Sequence, residues 1–176
     1  MKRPFLALAL CLICIPFAAL AQGEPGWNKS SLGANFELSL PVGSFADYAG
    51  TGYGGNLRYQ YGADTRTAVT VTAGYIVWGT KDLGLNTSVQ AKAFNIFAGG
   101  KFYLAKGFYG SLEGGLYFLT LDYTGTLVGA RGNTTRFMLP VGFGYQKSGF
   151  EIGARYMLLA TYYNCFSITL GYNFML

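Results

Sequence analysis

The dominant pattern along the chain is an alternation of apolar positions with polar or small ones, at a period of two. In the first segment, apolar side chains occupy alternate positions from Leu32 to Val42. Asn35, Glu37 and Ser39 lie between them. The same alternation recurs eight times along the chain. Because successive side chains of a β-strand point to opposite faces, the pattern predicts eight strands, each with one apolar face.

The other face of these strands carries mostly Gly, Ser, Thr and Asn. Charged residues make up only 12% of the chain, about half the share that is typical of a soluble domain. An antiparallel sheet with one face in water would carry many more Lys, Glu and Asp residues. We therefore expect the apolar face to contact lipid and the small, polar face to line a narrow barrel.

Two further features fit a membrane barrel, in which short periplasmic turns alternate with longer external loops and aromatic residues form two girdles. The connections alternate between short turns of roughly three to five residues and longer loops, predicted at 43–52, 79–88 and 120–134. The predicted girdles contain, at one level, Tyr59, Tyr61, Phe102, Phe108, Tyr145, Tyr172 and Phe174, and at the other Tyr53, Tyr75, Phe118, Phe137 and Tyr162 or Tyr163. The predicted fold is an all-β, eight-stranded antiparallel up-and-down transmembrane β-barrel.

One stretch offers a rival interpretation, because residues 156–176 carry no formal charge and are long enough to span a bilayer as a helix. Its polar residues recur at every second or third position, as in Ser167, Thr169 and Gly171. This spacing would surround a helix with polar groups but places nearly all of them on one face of a strand. The pattern favours the strand.

The N-terminus is typical of a secretory signal. Lys2 and Arg3 precede an apolar run, and Ala19-Leu20-Ala21 is a small-x-small cleavage site. We therefore divide the chain into a signal at 1–21, which is removed, and a single barrel domain at 22–176. Export by this route predicts a multi-pass protein of the bacterial outer membrane. Cys165 is the only cysteine after residue 21, so the domain has no internal disulfide.

Composition and motifs argue against several kinds of chemistry. The chain has no histidine, which excludes an imidazole base, a His-ligated metal and a Ser-His-acid triad. Gly50, Gly52 and Gly55 match a dinucleotide motif, but a strand follows where that motif requires a helix. No basic stripe for nucleic acid is present after residue 21. We predict no catalytic residue, no metal and no cofactor, and expect the lone Cys165 to be a packing residue of the lumen.

Six ionisable residues fall on the predicted lumen face, three acidic and three basic. Burial of a charge is costly unless the charge is paired, so the sequence predicts a structural network of salt bridges that fills the barrel. The alternative is a polar path for a solute or a proton. The six residues are Glu37, Arg58, Lys101, Glu113, Glu151 and Arg155.

Short motifs add a resemblance to a known family. They are LPVGSF at 40–45, GYG at 52–54, GGKFY at 99–103, FY at 108–109, EGG at 113–115 and LGYNF at 170–174. With them the chain resembles the bacterial outer membrane protein beta-barrel domain family, which is similar to the small OmpA/OmpX-type porin-family barrels. Many such barrels end in an aromatic residue, whereas here Met175 and Leu176 follow Phe174.

The resemblance and the loops together predict a non-enzymatic cell-envelope protein. Its role would be structural, adhesive or one of binding through the external loops, with an extracellular or envelope partner that the sequence does not identify. Outer membrane lipid and the barrel insertion machinery are its other expected partners. The alternative function is a narrow pore or conduit for small or apolar solutes, which requires a continuous path past the lumen charges. An outer-membrane lipid enzyme is the least favoured function.

Overall fold

The computed structural model describes residues 30–84, 86–105, 107–125, 131–158 and 163–176. The predicted signal at 1–21 lies outside these residues. The described part is almost entirely extended. Its strands are β1 (Ser30–Pro41), β2 (Gly52–Gly62), β3 (Thr67–Trp78), β4 (Lys81–Gly84), β5 (Thr87–Ala105), β6 (Phe108–Gly125), β7 (Arg131–Lys147), β8 (Phe150–Leu158) and β9 (Cys165–Met175), and a 3-10 helix spans Gly43–Asp47.

Eight of the nine strands close into a barrel. Each pairs with its neighbours in an antiparallel ladder, and β4 is a short strand that pairs only with β5. Pairing of β1 with β9 closes the ring, from Ser31 opposite Met175 to Pro41 opposite Cys165. The predicted fold class is thereby confirmed. We call the end of the barrel at which Ser30 and Leu176 lie the terminal end, and the opposite end the loop end.

The two faces of the strands follow the predicted alternation. Phe36, Leu57 and Leu170 are each more than half exposed on the outer surface, which in a membrane is the surface that meets lipid. Their neighbours Glu37, Asn56 and Thr169 are almost fully buried in the lumen. No helix in the described part of the chain is long and apolar enough to cross a membrane.

The strands are longer at the loop end than the sequence predicted, which corrects the loop predicted at 120–134. β6 continues to Gly125 and β7 begins at Arg131, with Thr120 opposite Asn133. The alternation does not stop there, because Leu119 is buried in the lumen and Leu121 packs against the same cluster. Polar cross-strand pairs hold the extension, such as the hydrogen bond of 3.0 Å from Thr120 to Asn133.

The other two predicted loops also contain regular secondary structure. The 3-10 helix Gly43–Asp47 lies within 43–52, and β4 together with the start of β5 lies within 79–88. Turns at the terminal end are tight. The turn from β7 to β8 has only two residues, Ser148 and Gly149, and both have positive φ values of 51° and 88°. This backbone matches the twist of the flanking strands and is why a glycine stands there.

Candidate functional site in the lumen and at the loop end

The six predicted lumen charges form one connected chain of opposite charges, which we call the charge network. Lys101 Nζ lies 2.8 Å from Glu151 Oε2, and Arg58 Nη1 lies 2.5 Å from Glu151 Oε1. Arg58 and Arg155 both approach Glu113, at 3.8 and 3.7 Å. Arg155 Nη2 lies 2.5 Å from an oxygen of Glu37. Since each charge faces at least one opposite charge, burial leaves none isolated.

Neutral side chains also donate hydrogen bonds to the carboxylates. Glu151 accepts hydrogen bonds from the Tyr109 hydroxyl at 2.6 Å and from the Asn173 amide at 2.8 Å. The Glu113 carboxylate accepts from Thr70 and Thr72, both at 2.9 Å. A buried ionic network stabilises a fold only when its remaining hydrogen-bonding groups are satisfied in this way.

The terminal mouth of the lumen is crossed by a belt of hydrogen bonds. Gln60 donates to the Tyr103 hydroxyl, and that hydroxyl donates to Gln146, both at 2.8 Å. Lys101 donates to the same Gln146 oxygen at 3.2 Å and lies 4.4 Å from the centre of the Tyr109 ring. All five side chains are nearly inaccessible to solvent. The belt therefore closes this end with neutral groups around one cation.

The loop-end half of the lumen is filled by apolar and aromatic side chains, which we call the apolar plug. Phe45 enters it from the 3-10 helix, with its ring centre 5.3 Å from that of Trp78. Gly52 leaves room for the Trp78 side chain, because a Cβ atom at position 52 would lie 2.6 Å from the indole nitrogen. The buried members of the plug are Phe45, Ala49, Ile76, Trp78, Ala91, Ala93, Phe97, Tyr117, Leu119, Met138, Met157 and Cys165.

The alternation of apolar and polar positions predicts only part of the plug. Ile76 and Trp78 stand at inward positions of β3 and are fully buried. Apolar residues at inward positions indicate that the lumen changes from polar to apolar at this level of β3. Phe45, by contrast, lies in a segment predicted as an external loop, and the alternation gave no sign that it turns inward.

The girdle position predicted for Tyr162 or Tyr163 is described only in part. Tyr163 does not face lipid but packs against the plug, with its ring centre 5.6 Å from that of Phe45. Tyr162, the other candidate for this position, lies outside the described residues.

Above the outer aromatic layer, β4 to β7 continue as a sheet with polar outer positions, which we call the loop-end sheet. The layer contains Phe94 and Phe118, which stack with ring centres 6.2 Å apart. At the next outward positions towards the loop end, Lys92 Nζ lies 2.9 Å from the Asp122 carboxylate. Arg131 lies 3.1 Å from the same carboxylate. The Lys92 ammonium and the Arg131 guanidinium hold the pKa of Asp122 below its usual range. This change from aromatic to charged groups is typical of the membrane boundary.

Within the described ranges, no group of three His, Cys, Asp or Glu side chains is arranged to hold a metal ion. The carboxylates of the lumen are instead each placed against Arg or Lys. The lumen carboxylates are therefore engaged in ion pairs.

Comparison with known proteins bears on the fold. No protein-family model matches the chain, and no curated protein does. Among solved structures, the chain is similar to Ail, the attachment invasion locus protein of Yersinia pestis, with 19% identity over 84% of this chain and 99% of that one, at a TM-score of 0.60. A structure of Ail in complex with the heparin analogue sucrose octasulfate matches with 17% identity, over 83% and 98%, at a TM-score of 0.62.

A third structure, the N-terminal beta-barrel domain of Pseudomonas aeruginosa OprF, matches with 18% identity over 87% of this chain and all of that domain, at a TM-score of 0.48. At identities this low, the similarity to Ail concerns the fold alone. The fold of the chain is that of the small eight-stranded outer membrane barrels of the OmpA/OmpX-like type.

Proposed function

We propose that the protein is a non-enzymatic binding protein of the bacterial outer membrane, with an adhesive or structural role, and that its partner contacts the loop-end sheet. The observation that carries this proposal is the continuation of three strands beyond the aromatic layer. From Thr87 to Ala93, β5 extends for about 20 Å along the strand direction. A sheet that only had to span the bilayer would end near Phe94.

The loop-end sheet has the features of a recognition surface. Its outer positions are polar, with Gln90, Asp122 and Asn133 on neighbouring strands. Among the residues that the structure describes, no strand pairs with β7 from Arg131 to Met138 on the side away from β6, because β8 ends opposite Leu139. An unpaired strand edge offers backbone donors and acceptors to an extended segment of a partner.

The filled lumen supports binding over the alternative of a pore. A conduit would need a continuous path past the charge network and then through the plug, where Trp78, Phe97 and Met157 are fully buried. An eight-stranded barrel is just wide enough to be filled by its own side chains. The absence of histidine from the chain and the pairing of every lumen carboxylate with a cation favour a non-enzymatic role.

The first experiment compares conductance with adhesion. Conductance of the refolded protein in a planar bilayer should stay at the level of the bare membrane. Bacteria that carry the protein should adhere to cultured epithelial cells or to a heparin-coated surface, and heparin is included because Ail was solved with a heparin analogue. Reproducible channels, or no adhesion to either surface, would count against the proposal.

A pair of variants locates the contact. Thr135→Pro removes a backbone donor that points to the unpaired side of β7, in the middle of the exposed edge, and should lower adhesion severalfold. Lys147→Ala, at the terminal end of the same strand, is the matched control and should leave adhesion unchanged. Surface levels and heat-modifiable gel mobility must be equal in both variants. Equal losses of adhesion in the two would contradict a contact at the loop end.

A further inference from the structure

The outer surface of the barrel carries a groove where β1, β2, β3 and β5 lie side by side. Its volume is about 660 Å³, which is within the range of about 300–1,000 Å³ that is usual for small-ligand sites. Phe36, Leu57, Tyr75 and Phe94 line it, and each of these side chains is between 43% and 58% exposed. The walls of the groove are therefore large apolar and aromatic side chains on the lipid-facing surface.

The strand register explains the depression between these walls. Gly55 is opposite both Phe36 on β1 and Tyr75 on β3. In the next row towards the terminal end, Ala34 and Ala73 lie on the two sides of a leucine. Two large rings thus border three positions whose side chains are a methyl group or a hydrogen atom.

The groove lies in the part of the apolar band that is nearer the loop end. Phe94 lines it and belongs to the outer aromatic layer. Phe102, which is predicted for the other girdle, lies about 27 Å further along the same strand. Since the hydrocarbon core of a bilayer is about 30 Å thick, the groove opens towards the lipids whose headgroups lie at the loop end.

Positive charge lies just beyond the loop end of the groove. Lys92 occupies the next outer position from Phe94 and is opposite Val77. It shares the Asp122 carboxylate with Arg131, at 2.9 and 3.1 Å, so two cations face one anion in this cluster. The Lys92 side chain is still 33% exposed. A net positive, accessible cluster at a membrane boundary attracts anionic headgroups.

An apolar groove alone does not select a lipid, because acyl chains are as apolar as the side chains that surround them. Selection requires close packing in a concave site together with a polar contact to the headgroup. From Gly55 to Lys92 the separation is two strand spacings, about 10 Å, and one step of two residues, about 7 Å. One lipid molecule can span this distance.

We propose that the groove binds an acyl chain of a lipid with a negatively charged phosphate headgroup, and that Lys92 contacts the phosphate. Because Arg131 shares the carboxylate of Asp122, that carboxylate does not neutralise both cations. Barrels of this kind contact lipid all round, whereas this site has one position and one preferred headgroup charge. It does not depend on the proposed adhesion, which is assigned to the edge of β7.

A second copy of the chain is a poorer occupant of the groove. A two-fold interface places the same patch of both copies face to face. Two depressions around Gly55 that face each other would leave a void, and the groups that line a void lose their packing contacts. An acyl chain is flexible and narrow, and it follows the shape of the groove.

The test is native mass spectrometry of the refolded protein in detergent. Phosphatidylglycerol and phosphatidylcholine with identical acyl chains are added in equal amounts, and only the first carries a net negative charge. We expect one retained lipid per barrel, with a preference for phosphatidylglycerol of about fivefold, the effect of one basic residue near a lipid surface. A photoreactive group in its acyl chain should label β2 and β3. Equal retention of the two lipids, or labelling spread evenly over all strands, would overturn the proposal.

Variants that fill the groove test its position. Ala34→Leu and Ala73→Leu should each lower the retention of phosphatidylglycerol severalfold. Ala154→Leu, at an outer position of β8 on another side of the barrel, is the matched control and should retain the lipid like the parent. Heat-modifiable gel mobility must be equal in all three. Equal retention by the three variants would overturn the assignment, and so would a dimer of the parent that Ala73→Leu abolishes.

Charge variants test the headgroup contact. Lys92→Gln should remove most of the preference for phosphatidylglycerol, and Lys147→Gln, at the terminal end, is its control. Asp122→Asn removes the carboxylate that both cations share and should strengthen the preference. A preference that is the same in Lys92→Gln, Asp122→Asn and the parent would show that this cluster does not contact the headgroup and would overturn the proposal.

Discussion

The two halves of the lumen are enclosed by the same strands but are stabilised by different interactions. In the terminal half, Glu151 alone contacts two cations, a tyrosine hydroxyl and an amide. In the loop-end half, Trp78 packs against Phe45 and Tyr117. Pairing must be complete to be favourable, whereas packing gains free energy with each apolar group that is buried. The two halves should therefore respond differently to substitution.

The difference also bears on function. A water-filled pore needs polar walls along its whole length, and here the polar lining ends at the level of Phe97 and Tyr117, whose rings stack with centres 6.4 Å apart. The plug beyond them separates the charge network from the loop-end sheet. A barrel built in this way supplies a rigid support for a surface at one end, which agrees with the proposed binding role.

The largest effect is expected from breaking the charge network on one side only. Arg155→Ala leaves Glu37 without its guanidinium partner and removes one of two cations near Glu113. Removal of one partner of a buried pair costs about 3–5 kcal/mol. The free energy of unfolding, measured by urea titration of the refolded protein in lipid vesicles, should fall by that amount.

The control removes both partners. In the double variant Glu37→Leu with Arg155→Met, no carboxylate loses its only cation, because Glu113 keeps Arg58. Its loss of stability should be clearly smaller than that of Arg155→Ala. If the double variant is as unstable as the single one, the network does not act through charge pairing, and the packing of its long side chains would explain the loss.

A smaller effect is expected from the plug. Phe45→Ala removes a fully buried ring from the cluster around Trp78. Such a loss of packing costs about 3 kcal/mol, the lower end of the range for buried aromatic residues. The same urea titration applies. Tyr48→Ala, in which the lost ring is 46% exposed, is the control and should change the unfolding free energy by about 0.5 kcal/mol or less. Equal effects of the two would mean that Phe45 does not belong to the core.

These two halves were not equally visible in the sequence. The orientation of Glu37 or Arg155 follows from the local alternation, since parity along a strand decides which face a side chain takes. Which charges meet depends on register between distant strands: Arg155 and Glu37 are separated by 118 positions. The sequence therefore predicted the members of the charge network and their sign balance, but not the connections within it.

The plug was less predictable because its key residue leaves the strand pattern. Phe45 reaches the lumen through the 3-10 helix Gly43–Asp47, where a period of two no longer applies. The ends of β6 and β7 were missed for another reason. Residues such as Thr120 and Asn133 are typical of loops, but in this sheet their hydrogen bonds to each other replace the apolar contacts of an ordinary strand pair.

The smallest expected effect concerns the loop-end sheet, where the charges are exposed. The pKa of Asp122 is lowered by its hydrogen bond to Lys92 and by the nearby Arg131. Because the folded pKa lies below the unfolded one, the stabilisation is fully present above the ordinary value of 3.8 and is lost as pH falls through the folded pKa. Hydrogen exchange of the amides at the loop ends of β5 and β6, corrected for intrinsic rates, should be constant from pH 7 to pH 5. Protection should decrease below about pH 4.

The control for this prediction is Asp122→Asn, which removes the charge that attracts Lys92 and Arg131. Its loop-end amides should exchange somewhat faster at neutral pH and show no further change that depends on Asp122 at low pH. Added salt should reduce the difference between parent and variant, because exposed pairs are screened. A parent protein whose loop-end protection is the same at pH 3 and pH 7 would show that the polar cross-strand hydrogen bonds hold the sheet without this ion pair. In that case the loop end would resemble the plug, being stabilised by neutral contacts alone, and the ionic interactions that matter would be confined to the terminal half of the lumen.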